Sequence, residues 1–87
     1  MRQCIRLDLD CAAVCDAAAA VLGRAGTPNW ALTASLLEAC ASACGACATE
    51  CERHADTMAH CKLCAAECRA CEAACREALR AGAAKSR

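Results

Sequence analysis

The segment 61–75, CKLCAAECRACEAAC, has five cysteines separated by steps of three, four, three and four residues. Such steps place side chains on one face of an α-helix, with Cβ atoms about 5–6 Å apart. Because a thiolate sulfur bonds a soft metal ion at about 2.3 Å, one ion can join two sulfurs of this face. A disulfide needs Cβ atoms about 3.5–4.5 Å apart and a specific torsion. The segment therefore predicts a helix face that binds metal ions rather than one that forms disulfides.

The other cysteines follow the same spacing in two earlier segments, and His54 continues the second series three residues beyond Cys51. Asp8 falls on the first series, and a buried carboxylate needs partners. We expect it to meet solvent at a bundle edge or to accept a bond from an uncharged cysteine, and we do not assign it as a ligand. The predicted metal ligands are Cys4, Cys11, Cys15, Cys40, Cys44, Cys47, Cys51, Cys61, Cys64, Cys68, Cys71 and Cys75.

Three helices must position these series, since the sequence is rich in helix formers and has one Pro and four Gly. We predict helices over roughly 2–23, 28–55 and 57–81, with short connections that make neighbours antiparallel. Gly23 and Gly26 are expected to end the first helix, and Thr27 and Pro28 to start the second. Asp56 or Thr57 is expected to cap the third helix, and Gly82 to end it.

The predicted fold is all-α: a three-helix antiparallel bundle, related to a four-helix bundle, with a cysteine-lined core. It forms a single domain over 1–82, followed by a frayed tail over 83–87. Ile, Leu, Val and Phe together number only 11 of 87 residues, about 13%, whereas there are 25 alanines and 12 cysteines. Such a chain lacks the aliphatic mass of an ordinary core, so sulfur must replace it.

Composition also limits the partners and the compartment. The 10 basic and 10 acidic residues cancel, which removes the electrostatic basis for binding nucleic acid or an anionic membrane. We expect no apolar run long enough to span a bilayer and no signal peptide. We therefore predict a cytoplasmic protein, where thiols stay reduced.

The charge of the core favours a monovalent metal. Twelve buried thiolates would leave a large negative charge if zinc were bound in four-sulfur sites, whereas about one Cu(I) per thiolate leaves an almost neutral interior. Zinc and iron–sulfur clusters remain alternatives. So does a metal-sensing helical module that docks on a partner protein. A thiol–disulfide oxidoreductase is disfavoured, because its CxxC motif belongs beside a βαβ pattern. We predict no enzyme activity.

The segments CIRLDLDCAAVC, CASACGACATECERH and HCKLCAAECRACEAAC resemble the cysteine-rich four-helix-bundle copper storage proteins over about residues 4–75. The resemblance implies storage of many Cu(I) ions by inward-facing thiolates, with copper entering one end of the bundle near His and Met residues. That role would fall to His54, Met58 and His60. From the residues alone, His54, Met58 and His60 are also candidate metal ligands, with His60 the weakest of the three because it lies beside the cysteine series. A helix-end role for His54, an apolar plug at Met58 and a solvated His60 are the alternatives.

The resemblance also implies that this chain is without the first helix of the family's four-helix bundle. Together with exposed apolar positions such as Ile5 and Leu9, this predicts a homo-oligomer. The expected partners are therefore copper ions, delivered by a copper chaperone, and further copies of the chain.

Overall fold

The computed structural model describes residues 2–24, 26 and 29–85. It contains three α-helices: α1 (Arg2–Leu22), α2 (Trp30–Glu52) and α3 (Ala59–Lys85). No strand occurs in the described part of the chain, and the predicted all-α three-helix bundle is confirmed. α2 is the central helix and packs along both α1 and α3, in a molecule of 46 × 20 × 15 Å.

The connection between α1 and α2 contains the two predicted glycines and ends at Asn29, which caps α2. The N–H of Gly23 donates to the carbonyl of Ala19 at 2.9 Å, and Gly26 has φ +104°, which favours glycine. The side chain of Asn29 accepts from the N–H of Leu32 at 3.1 Å, so α2 begins at Trp30 rather than at residue 28. The predicted start residues Thr27 and Pro28 lie outside the described residues.

The connection between α2 and α3 is longer than predicted. α2 ends at Glu52 instead of residue 55, and α3 begins at Ala59 instead of residue 57. The prediction that Asp56 or Thr57 caps α3 is wrong. The hydroxyl of Thr57 donates to the carbonyl of His54 at 3.2 Å, and so serves the turn that follows α2.

Gly82 does not end α3, because the helix continues through it to Lys85. Its role is steric. A Cβ at this position would overlap the indole ring of Trp30, which packs against the core at the same end of the bundle. The expectation of a helix stop at Gly82 is therefore wrong. Residues 83–85 of the expected tail belong to α3, and residues 86 and 87 lie outside the described residues.

We expect Gly82→Ala to destabilise the fold. In an exposed helix this substitution stabilises by up to about 1 kcal/mol, but here the new methyl group must displace the Trp30 ring, an overpacking cost of about 1–3 kcal/mol. Urea unfolding of the reduced protein measures the change. Gly45→Ala is a matched control: its Cβ would meet the flexible carboxylate end of Glu72, which can move away. Equal stability of the two variants would contradict the steric role of Gly82.

The expectation that no apolar run is long enough to cross a bilayer is wrong. One helix meets the requirements of length and composition. The segment Trp30–His54 is long and apolar enough, and 39% of its apolar 18-residue stretch is buried inside the bundle. The central helix of a bundle meets the same criteria without crossing a membrane. The residues that make this segment apolar are largely the core-facing Leu37, Cys40, Ala41, Cys44, Cys47, Ala48 and Cys51.

Candidate metal centre

The thiols form a ladder between α1 and α2. Three pairs of sulfurs face one another across these helices: Cys4 and Cys51 at 3.1 Å, Cys11 and Cys44 at 2.9 Å, and Cys15 and Cys40 at 2.6 Å. The residue number rises along α1 as it falls along α2, which is the register of antiparallel neighbours. The predicted inward orientation follows from the spacing of three and four on each helix.

The cysteines of α3 close onto this ladder and produce two clusters of potential ligands. The first cluster is Cys15, Cys40, Cys44 and Cys71, whose sulfurs all lie within 4.8 Å of one another. The second cluster is Asp8, Cys47, Cys51 and Cys64, within the same limit. Each cluster joins all three helices, so the fold and not the helix alone brings the ligands together. Sulfur at these separations suits soft metal ions.

Asp8 is the residue that sequence reasoning left out of the ligand set. Its Oδ1 accepts hydrogen bonds from the Cys47 thiol at 2.8 Å and from the Cys64 thiol at 2.9 Å. These are the partners that a carboxylate on a thiol face requires. Its position on the first cysteine series was the available signal, but the sequence could not show that two thiols would converge on it.

The remaining cysteines extend the two clusters along the core. Cys68 lies 3.9 Å from Cys64, sulfur to sulfur, and Cys11 lies 3.9 Å from Cys15. Cys61 and Cys75 are buried in the same core. The structure therefore places all twelve predicted cysteine ligands in or against one core. All twelve are free thiols. Their role as ligands remains a prediction.

The histidines and methionine near the α2–α3 turn have different surroundings. His54 lies in the turn after α2, and its Nε2 is 3.2 Å from a carboxylate oxygen of Glu50. His60 Nε2 lies 3.5 Å from the sulfur of Cys61. Met58 is partly buried and packs against the core. His60 is thus the one of these three described residues seen to contact a thiol. The sequence had favoured His54 as the metal ligand.

Burial controls the protonation of the central thiols. It raises the pKa of Cys40, Cys44, Cys47 and Cys51 well above the ordinary 9.0, and hydrogen bonds that these thiols donate to neighbouring groups add to the shift. Burial likewise raises the pKa of Cys68 to about 12. At neutral pH these five thiols are therefore protonated and uncharged, and a bound metal ion must displace their protons. Hydrogen bonds from neighbouring thiols instead lower the pKa of Cys15.

These shifts predict an alkaline instability of the metal-free protein. Above pH 9.0, the ordinary pKa of the thiol, unfolded cysteines lose protons that the folded core retains. The unfolded state then binds fewer protons, so the free energy of unfolding falls as pH rises. We expect the melting temperature of the reduced protein to drop between about pH 9 and pH 11. A variant with Cys44→Ala and Cys47→Ala should show a weaker dependence. An unchanged pH profile in that variant would contradict the assignment to core thiols.

An ion-pair network on the outer surface holds α3 in register with α2. Arg69 donates to both carboxylate oxygens of Glu52, at 3.0 and 2.9 Å, and to Glu72 at 2.8 Å. The hydrogen bonds from Arg69 lower the pKa of both carboxyl groups. Exposed pairs contribute little stability individually, but this bidentate contact joins α3 to α2 in the same register as their facing cysteines.

A family model described as copper storage protein matches residues 1–80. The chain belongs to this family. Within the copper storage family, it resembles two solved structures from Streptomyces lividans. One is a cytosolic copper storage protein with five coppers, with 51% identity and a TM-score of 0.88, over 91% of this chain and 66% of that chain. The other is the copper storage protein Ccsp, loaded with 10 copper equivalents, with the same identity and TM-score, over 91% of this chain and 60% of that chain.

The chain thus spans less than two thirds of the length of these copper storage proteins. A variant of the Streptomyces lividans protein with two histidines replaced by alanine has also been solved, and it matches with the same 51% identity. Among curated protein sequences, none matches the chain.

Proposed function

We propose that this member of the copper storage family sequesters several Cu(I) ions in its thiol core, in the cytosol and without catalysing a reaction. The observation that carries the proposal is the number of free cysteines in one core, eight of them buried and four partly buried. A structural metal site uses about four ligands. Twelve cysteines are far more than one such site requires. Storage of many metal ions is the function that needs this number of ligands.

Charge supports Cu(I) over zinc. A Zn²⁺ ion bound by four thiolates leaves a net charge of about −2 at each site. Cu(I) at one ion per thiolate leaves about zero, which suits a core whose thiols are uncharged without metal. The cluster of Cys15, Cys40, Cys44 and Cys71 has sulfurs as its only ligand atoms, and sulfur is the ligand type that Cu(I) prefers.

The competing proposals are a zinc or iron–sulfur protein and a metal-sensing interaction module. We expect Cu(I), added anaerobically to zinc-loaded protein, to displace all the zinc and leave a colourless product with absorption only in the ultraviolet. Zinc retained at equimolar Cu(I) per thiol would favour the zinc protein, and visible absorption of the isolated protein would favour an iron–sulfur cluster. Saturation by one or two ions would favour a sensor.

We further propose that the protein self-associates and receives copper from a donor such as a copper chaperone. Ile5 and Leu9 lie one turn apart on α1, with 56% and 65% of their surface exposed. An apolar pair at this exposure favours contact with another protein surface. The native mass of the reduced protein tests the first part, and Leu9→Glu should lower that mass if Leu9 lies in the contact between copies.

A further inference from the structure

One sulfur of α3 approaches a facing pair of the thiol ladder. The sulfur of Cys71 lies 3.7 Å from that of Cys15 on α1 and 4.0 Å from that of Cys40 on α2. Cys44, one turn further along α2, has its sulfur 3.5 Å from that of Cys15. All four sulfurs lie within 4.8 Å of one another. The first cluster therefore brings sulfur atoms from three helices to one point.

This convergence provides more sulfur than a two-coordinate ion needs. A Cu(I) ion held between two sulfurs uses one pair, and such pairs already face each other between α1 and α2. An ion with three bonds to sulfur needs a third donor beside the pair. Three bonds of about 2.3 Å that meet near right angles place their sulfurs about 3.3 Å apart. The sulfur of Cys15 lies 3.5 Å from Cys44 and 3.7 Å from Cys71, which is close to that separation.

The chemistry of the donors narrows the choice of ion. The ligand atoms of this cluster are sulfur alone, which favours a soft ion. Trivalent arsenic is soft, forms three bonds in a pyramid and gives a complex with three thiolates that has no net charge. Zn²⁺ on the same three thiolates would leave a net charge of about −1. Because Cys44 is fully buried, the neutral complex avoids the free-energy cost of a charge in the core.

We propose that Cys15, Cys44 and Cys71 form a site for trivalent arsenic, which enters as the neutral hydroxide As(OH)₃. Three arsenic–sulfur bonds form while three arsenic–oxygen bonds break, and each thiol proton leaves with a hydroxide as water. Arsenic stays trivalent, so no oxidant or reductant is needed. The bound atom joins α1, α2 and α3. The inference goes beyond copper storage and does not depend on it.

The second cluster also has three thiols, but it is a poorer site for arsenic. The thiols of Cys47 and Cys64 both donate to Oδ1 of Asp8, at 2.8 and 2.9 Å. Bonds from these sulfurs to arsenic would remove both protons and leave the carboxylate without its two donors, which costs free energy. We therefore expect one arsenic atom per chain, bound in the first cluster.

Arsenite binding by the reduced full chain tests the proposal. The protein is incubated anaerobically with sodium arsenite and a large excess of glutathione, desalted and weighed by native mass spectrometry. Three thiols fixed in one fold act at a high effective concentration, so they should retain arsenic against a free monothiol. We expect the mass to rise by one arsenic atom less three protons. A native chain that retains no arsenic would overturn the proposal.

Two double variants locate the site. Cys15→Ala with Cys44→Ala leaves two sulfurs in the first cluster, and we expect it to lose the bound arsenic. Cys51→Ala with Cys64→Ala is the matched control, because it also removes one buried and one partly buried thiol, but from the second cluster. We expect this control to retain arsenic like the native chain. Equal retention in the two variants would overturn the assignment to the first cluster.

X-ray absorption at the arsenic edge gives a readout on the native chain that does not depend on how the double variants fold. We expect three sulfur neighbours and no oxygen neighbour around the bound arsenic. An oxygen neighbour in place of one sulfur would overturn the three-thiol site. Cys40→Ala keeps the three proposed ligands and should give the same spectrum, and a changed spectrum would overturn the choice of these three.

The outcomes separate this inference from the proposed function. A native chain that takes up copper but retains no arsenic overturns the arsenic site alone. A native chain that retains arsenic but binds no more than one or two Cu(I) ions overturns copper storage alone.

Discussion

Loading the reduced protein with Cu(I) is expected to raise its melting temperature by about 20 °C or more. A ligand that binds only the folded state adds about 4 kcal/mol at 1,000 times its dissociation constant. Each kcal/mol raises the melting temperature of a domain of this size by about 4–8 °C. The unfolded chain has no preformed site, so the binding free energy adds to the folding free energy.

Differential scanning calorimetry of the metal-free and copper-loaded forms, under anaerobic conditions, measures the shift. Mg²⁺ is the control, because it prefers oxygen ligands and should leave the transition unchanged. A copper-loaded protein that melts no higher than the metal-free form would contradict a core built to hold the metal.

Removing the first cluster is expected to cost about four Cu(I) ions per chain, given one ion per thiolate. The variant replaces Cys15, Cys40, Cys44 and Cys71, whose sulfurs lie within 4.8 Å of one another, with alanine. Alanine leaves no unpaired polar group in the core, unlike serine. The copper content of the saturated, desalted protein gives the loss, and far-ultraviolet circular dichroism checks that the helices persist.

The second cluster provides the matched control for this experiment. Alanine at Cys47, Cys51 and Cys64 removes buried and partly buried sulfurs from the same three-helix core, and should cost about three ions on the same basis. Loss of all copper in both variants would point to one cooperative cluster rather than two. Unchanged capacity in the first variant would show that its four thiols are not ligands.

The sequence predicted the fold because one pattern carried most of it. Steps of three and four among the cysteines determine the inner face of each helix, and the short connections require α2 to lie antiparallel to its neighbours. Cys4 therefore faces Cys51, and Cys15 faces Cys40, as the register of the ladder requires. Helix position and cysteine orientation are local properties, which is why periodicity was sufficient for them.

Features that depend on contacts between distant residues were missed. Gly82 is of the residue type that often ends a helix. Its steric role, which is to leave room for the Trp30 ring, is visible only when the two residues are seen in contact. Asp8 lies on a thiol face, but its two donors come from α2 and α3. No spacing along the chain contains that information.

The most direct test of the account is the anaerobic titration of fully reduced protein with Cu(I), with thiols and copper both quantified at saturation. The account predicts saturation near one ion per cysteine, close to twelve per chain. The number of Cu(I) ions bound should be the same with and without added zinc. Saturation at one or two ions per chain would contradict it, because the sulfurs of the core would then have a role other than holding stored copper.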